Sequence, residues 1–277
     1  MRLTSAALLS LFISVSAQEY PPPSNLVTIP TASGLVRGAF AADMRMQRSG
    51  GITTSLAVGI SDRFMFGLSY GASSLIGDNE PVPYPRPEVI LKYRLIDETV
   101  VFPGIAFGVD TQGFGNYNNA DSLKRYDIKG YGAYLTASKN WLTPLGNLGI
   151  HLGANYNFTE NVDEDDDPNL FAGFDIEFNP EFSFLMEYNA ALNQNNMTAE
   201  TVALSRGGYL NAGLRWSIFQ NFHLDLHFNN LLFDEDKVSY FNREIKVTYI
   251  EYFLGFSGLQ AKIAIQVITQ LSRIFLD

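Results

Sequence analysis

Apolar and polar residues alternate with a period of two along much of this chain. Leu148, Ile150, Leu152, Ala154, Tyr156 and Phe158 alternate with Gly149, His151, Gly153, Asn155, Asn157 and Thr159. Phe222, Leu224, Leu226 and Phe228 alternate in the same way with His223, Asp225, His227 and Asn229. Successive side chains of a strand point to opposite faces, so this pattern predicts strands with one apolar face and one small or polar face. Twelve segments read this way: 36–47, 52–60, 64–73, 88–95, 101–112, 126–139, 148–159, 170–178, 182–193, 208–218, 222–232 and 243–253. After the first hairpin, which closes through Arg48-Ser49-Gly50-Gly51, their connections alternate in length. Short turns at Ser61-Asp62-Arg63, Ile96-Asp97-Glu98, Thr143-Pro144-Leu145-Gly146, Asn179-Pro180-Glu181 and Phe219-Gln220-Asn221 carry residues suited to tight reversals. Long polar loops fall between them: a Pro-rich one at 79–85, a Gly/Asn-rich one at 113–119, acidic ones at 163–167 and 234–236, and a polar one at 194–206.

An even number of strands with tight turns at one end and long loops at the other is the pattern of an antiparallel transmembrane β-barrel with both ends on the periplasmic side. A secreted β-sandwich shows the same period. Two features favour the barrel: the clearer segments approach the length of about 9–11 residues that a tilted membrane strand needs, and Phe64, Trp141, Phe178, Phe182, Trp216, Phe219 and Phe222 gather by the short turns, as an interfacial aromatic belt would. No stretch beyond the N-terminus offers the roughly 20 apolar residues of a membrane helix.

The ends of the chain complete the organisation. Arg2 precedes the apolar run 6–15, and Val15-Ser16-Ala17 offers small residues for cleavage, so residues 1–17 read as a secretory signal. Residues 18–35, with Pro21-Pro22-Pro23, read as a periplasmic Pro-rich segment leading into a barrel over 36–253. In the extension 254–277, Leu259, Ile263, Val267, Leu271 and Phe275 fall at a four-residue spacing that suits one helical stripe. Composition agrees: 46% of residues are hydrophobic, 17% are charged, and there are 21 Phe, 14 Tyr and 23 Gly. With no cysteine, the chain has neither disulfides nor the thiol of a lipid anchor. Its net charge of -10 argues against nucleic acid as a partner.

The candidate chemistry lies on the inward face. The alternation turns Asp175, Glu177, Glu187, Arg215, His223, Asp225, His227, Glu244 and Lys246 toward the lumen. His223-Leu224-Asp225-Leu226-His227 places imidazole and carboxylate on one side of a strand, types that suit zinc or nickel. Side chains two apart on a strand are roughly 6.5–7 Å apart, so a polar lumen row explains them more simply than a metal site. Asp225 and His227 match the Asp-x-His part of omptin-type outer-membrane proteases, and the match ends there. No His-x-Ser pair follows His151, and no catalytic residues or cofactor are expected. The acidic run 163–167 lacks the spacing of a calcium loop and reads as a solvated outer loop.

The passage Leu26-Val27-Thr28-Ile29-Pro30-Thr31-Ala32-Ser33-Gly34, followed by Arg37-Gly38-Ala39-Phe40 and a Gly-rich hairpin, resembles the YjbH-like group of outer-membrane β-barrel proteins. Val89-Ile90-Leu91-Lys92-Tyr93-Arg94 and Gly208-Tyr209-Leu210-Asn211-Ala212-Gly213-Leu214-Arg215-Trp216 add to the resemblance. It implies a non-enzymatic accessory role in exopolysaccharide production or export. The expected partners are outer-membrane lipid and lipopolysaccharide, the barrel assembly machinery and polysaccharide export components. A passive channel for small polar solutes, a structural or adhesive barrel with a filled lumen, and an outer-membrane hydrolase are the alternatives.

Overall fold

The computed structural model describes residues 24–121, 123–195, 208–219, 221–232 and 242–253. The expected signal over 1–17, the C-terminal stripe and the acidic run 234–236 lie outside the described residues.

Among the described residues fifteen strands follow one another: β1 (Ala39–Met46), β2 (Ile52–Gly59), β3 (Phe64–Ser73), β4 (Val82–Pro83), β5 (Glu88–Ile96), β6 (Gly104–Asp110), β7 (Phe114–Asn118), β8 (Arg125–Ile128), β9 (Gly132–Thr143), β10 (Gly146–Tyr156), β11 (Asn169–Glu177), β12 (Phe182–Asn189), β13 (Tyr209–Phe219), β14 (Phe222–Asn229) and β15 (Asn242–Tyr252). Twelve of them form a closed antiparallel barrel. Its wall runs β1-β2-β3-β5-β6-β9-β10-β11-β12-β13-β14-β15, and β1 pairs with β15 from Ala39↔Tyr252 to Met46↔Ile245. Closure leaves no barrel strand with an unpaired edge. The short strand β4 adds to the end of β3, and β7 and β8 form a separate hairpin.

Each wall strand keeps the alternation of the sequence. In β10, Gly149, His151 and Asn155 are buried while Ile150, Leu152 and Tyr156 are exposed. In β14, His223, Asp225, His227 and Asn229 are buried and Leu226 is exposed. The exterior is therefore an apolar band and the interior is polar, the reverse of a soluble protein. Near the short turns Trp141, Phe178, Phe182, Trp216 and Phe219 stand on the outer surface, and Phe182 stacks on Trp216 with ring centres 5.9 Å apart. Among the described residues no helix is long and apolar enough to cross a membrane.

Three expectations are corrected. The segment 126–139 is not one strand: its first part joins the β7–β8 hairpin and the wall strand begins at Gly132, whose φ of +62° turns the chain at the barrel rim. A Cβ there would lie 2.3 Å from the Tyr156 carbonyl oxygen. The connection at Ile96-Asp97-Glu98 is longer than a tight turn, because β6 starts at Gly104, just after Pro103, which has no N–H for the ladder. Residues 24–35, the described part of the expected periplasmic segment, lie inside the barrel. Leu26, Val27, Ile29, Ala32 and Leu35 are all buried there.

Candidate functional site

The lumen is the site, and the N-terminal segment fills one side of it. Residues 24–31 form a compact turn rather than a strand: Thr31 N–H donates to the Ser24 carbonyl and Leu26 N–H to that of Ile29, both at 3.0 Å. At its tip three consecutive backbone N–H groups, of Val27, Thr28 and Ile29, converge on the Glu187 carboxylate from β12 at 2.9–3.1 Å. Successive N–H groups of a turn make a nest for an anion. The Thr28 hydroxyl donates to the same carboxylate at 2.5 Å, and Asn211 Nδ2 at 2.8 Å.

The carbonyls of the segment are met by cations. Lys92 Nζ on β5 donates to the carbonyls of Ser24, Thr31 and Ser33 at 2.7–2.9 Å. Arg45 Nη2 on β1 reaches the Val27 carbonyl at 2.6 Å, and Thr136 Oγ1 on β9 the Pro30 carbonyl at 3.1 Å. Leu26, Val27 and Ile29 pack in one apolar cluster with Tyr134, Phe171 and Leu185 from the wall. Burying such side chains stabilises the seat by about 1.5–3 kcal/mol each. Gly173 on β11 makes the room: a Cβ there would lie 2.7 Å from Leu26 Cδ1 and 2.8 Å from Ile29 Cδ1.

Of the nine lumen candidates read from the sequence, five fall in two groups. Arg215 on β13 grips both oxygens of Asp225 on β14 at 2.8 Å. Around the wall from that pair, Lys246 on β15 lies 3.3 Å from Asp43 on β1, and Arg45 lies 3.2 Å from Glu244. Glu187 forms the second group, with the N-terminal turn. The other four are dispersed, His223 and His227 on β14 and Asp175 and Glu177 on β11. Nδ1 of His223 bonds Ser217 Oγ at 2.8 Å, and His227 Nε2 is 3.6 Å from Asp225 Oδ2. With Asp225 committed to Arg215, the His-x-Asp-x-His row does not assemble into a chelate, and among the described residues no group of three His, Asp or Glu could hold a metal ion.

One row was missed. Ser138 on β9, His151 on β10 and Asp175 on β11 are linked in series, Ser138 Oγ to His151 Nδ1 and His151 Nε2 to Asp175 Oδ1, each at 2.7 Å. Such an order of groups can activate a serine. Here the Ala32 N–H donates to Ser138 Oγ at 2.8 Å and Ala32 is packed over it, so the serine is covered by the N-terminal segment. The sequence gives no local signal, because the three residues share only strand register.

At the long-loop end the described loops are tied to the wall and to one another. Phe114 of the β7–β8 hairpin lies under Arg45, whose guanidinium carbon is 4.8 Å from the ring centre. Gly115 N–H donates to Gln47 Oε1 at 2.8 Å, and Tyr84 Oη to the Gly115 carbonyl at 2.9 Å. The acidic run 163–167, expected to be solvated, is in part buried. Asp163 pairs with Arg125 at 2.6 Å and Lys129 at 2.7 Å, and Lys129 also donates to the Asp165 carbonyl. Burial holds the Lys129 ammonium below its ordinary pKa, partly offset by Asp163. Glu160 accepts the N–H groups of Tyr126 and Gly130, both at 2.7 Å. Burial raises its carboxyl against those bonds. Asp163→Ala should leave two buried cations uncompensated, costing about 3 kcal/mol. The expected reading is faster amide exchange confined to β8 and its neighbours; unchanged exchange there would show that the pairing does not hold the hairpin.

Between the turn and the opposite wall a cavity of about 90 Å³ remains, bordered by Asp43, Lys92, Asp110, Tyr134 and Lys246. That is room for a small cluster of waters.

No family model and no curated protein matches the chain. Among solved structures the barrel is similar to the KdgM porin, at 12% identity and a TM-score of 0.44, covering 78% of this chain and 99% of that one. It is similar to the NanC porin at 10% identity and a TM-score of 0.39, covering 77% and 98%. The CymD monoaromatic hydrocarbon channel matches at 12% identity and a TM-score of 0.37, covering 79% and 89%.

Proposed function

We propose that this protein is a non-enzymatic outer-membrane β-barrel held nearly shut by its own N-terminal turn, passing water and the smallest polar solutes and serving the envelope as an accessory barrel. The observation that carries this reading is the turn at residues 24–31 on the Glu187 carboxylate, deep in the lumen. The membrane location is supported by the apolar exterior, its aromatic belt and the closed wall, since only structures that satisfy every backbone group can span a bilayer. The non-enzymatic reading is supported by the cover on Ser138.

The turn at residues 24–31 occupies part of the lumen that a polysaccharide chain would have to thread, which favours an accessory role over a conduit. An accessory role in exopolysaccharide production, as the YjbH-like resemblance implies, does fit. Lipopolysaccharide, the barrel assembly machinery and export components are the partners of that role. Neighbouring glycosyltransferase and export genes would support it.

Single-channel recording of the refolded protein in planar bilayers tests the closed state. The expected record is flat or shows only small steps, with all neutral polymers excluded. Stable, large ohmic steps from the unaltered protein would overturn it and make this a diffusion pore.

A further inference from the structure

The contacts of residues 24–35 are those of a bound ligand rather than of a structural strand. Among the described residues no ladder joins the segment to the wall, and the bridge Asn25↔Pro30 is internal to it. The wall closes through β1 and β15 without it. Most of its bonds to the barrel run from its backbone to wall side chains, and two of those side chains carry charges with no ion-pair partner among the described residues. Glu187 faces the turn N–H groups and Asn211, and Lys92 faces three carbonyls. Two buried charges whose hydrogen bonds go mainly to a peptide backbone, with Asn211 beside one and Asp110 near the other, are costly features for a wall to keep unless that backbone is what they bind.

From this we infer that the lumen contains a binding site for a turn-forming peptide, occupied by the protein's own N-terminal segment as a tethered and exchangeable ligand. The inference rests on the closed-lumen reading and names what closes it. Two apolar residues, a hydroxyl residue, one apolar residue and a proline define the ligand, as in Leu26, Val27, Thr28, Ile29 and Pro30. The wall reads each part. Glu187 takes the three N–H groups, and Thr28 Oγ1 lies between Glu187 and Tyr131 Oη at 2.5 and 3.1 Å. The apolar side chains enter the space left by Gly173. The tether is the turn at Arg37 and Gly38, where Arg37 is exposed.

The experiment folds the full chain with a specific protease site inserted between Arg37 and Gly38, then cuts it. The cut barrel should release the segment on dilution, and a synthetic peptide of residues 24–36 should rebind, measured by titration calorimetry and by block of conductance. Thr28→Ala in the peptide or Glu187→Gln in the barrel should weaken rebinding by about 10- to 100-fold. A cut barrel that never releases the segment, or an emptied folded barrel that does not bind the peptide, would overturn the inference. Large steps from the uncut protein would instead overturn the closed-lumen reading, while calorimetry still reports on the peptide site. If the insertion prevents folding, amide exchange on the uncut chain decides. Glu187→Gln should speed exchange at Val27, Thr28 and Ile29 relative to the wall strands, and equal rates in both proteins would refute the site.

Discussion

Glu187→Ala is expected to open the lumen while leaving the wall intact. The change deprives the Val27, Thr28 and Ile29 N–H groups and the Thr28 hydroxyl of their common acceptor. Hydrogen bonds to a charged group are worth about 1.5–3 kcal/mol each, and water entering the lumen replaces part of that. A net loss of ~4 kcal/mol lowers the equilibrium constant for filling the seat by about a thousandfold. In planar bilayers this should appear as ohmic steps absent from the unaltered protein. Strand content by circular dichroism should not change, because Glu187 contributes its backbone to the β12 ladder whatever its side chain. A variant as silent as the parent would show that Glu187 does not hold the turn.

Arg215→Met should act on the wall instead. It leaves Asp225, 1% exposed, as a buried carboxylate without its cation, and breaking such a pair costs about 3–5 kcal/mol. The barrel should lose its resistance to unfolding in detergent at a lower temperature than the parent. Arg215→Met with Asp225→Leu should recover most of the loss, since two apolar residues leave no charge stranded. A double variant as weak as the single one would place the cost in packing rather than in the ion pair.

The wall was legible in the sequence because every wall strand writes its two faces into alternate residues. Even the inward set from Asp175 to Lys246 could be read, since register follows from the apolar row. The contents of the lumen were not legible. Residues 24–35 carry no period of two and follow three prolines, so Leu26, Val27 and Ile29 look like parts of a tether until the Gly173 gap shows where they go. A run of acidic residues looks solvated because its partners are remote: Arg125 and Lys129 stand 38 and 34 residues before Asp163. The Ser138, His151 and Asp175 row spans three strands and depends on how they align, which no short motif records.

Closure of the wall by β1 against β15 has a further consequence, for the order of events during biogenesis. These strands stand at the two ends of the barrel sequence, so the seam between them can form only after every other strand has been made. The turn lies just ahead of β1, and its contact with Glu187 spans 160 residues. Long-range contacts of this kind come late and slowly. Seam and seat are thus both late events, and the turn, among the first of these parts to be made, has no seat until β12 and its Glu187 have joined the sheet.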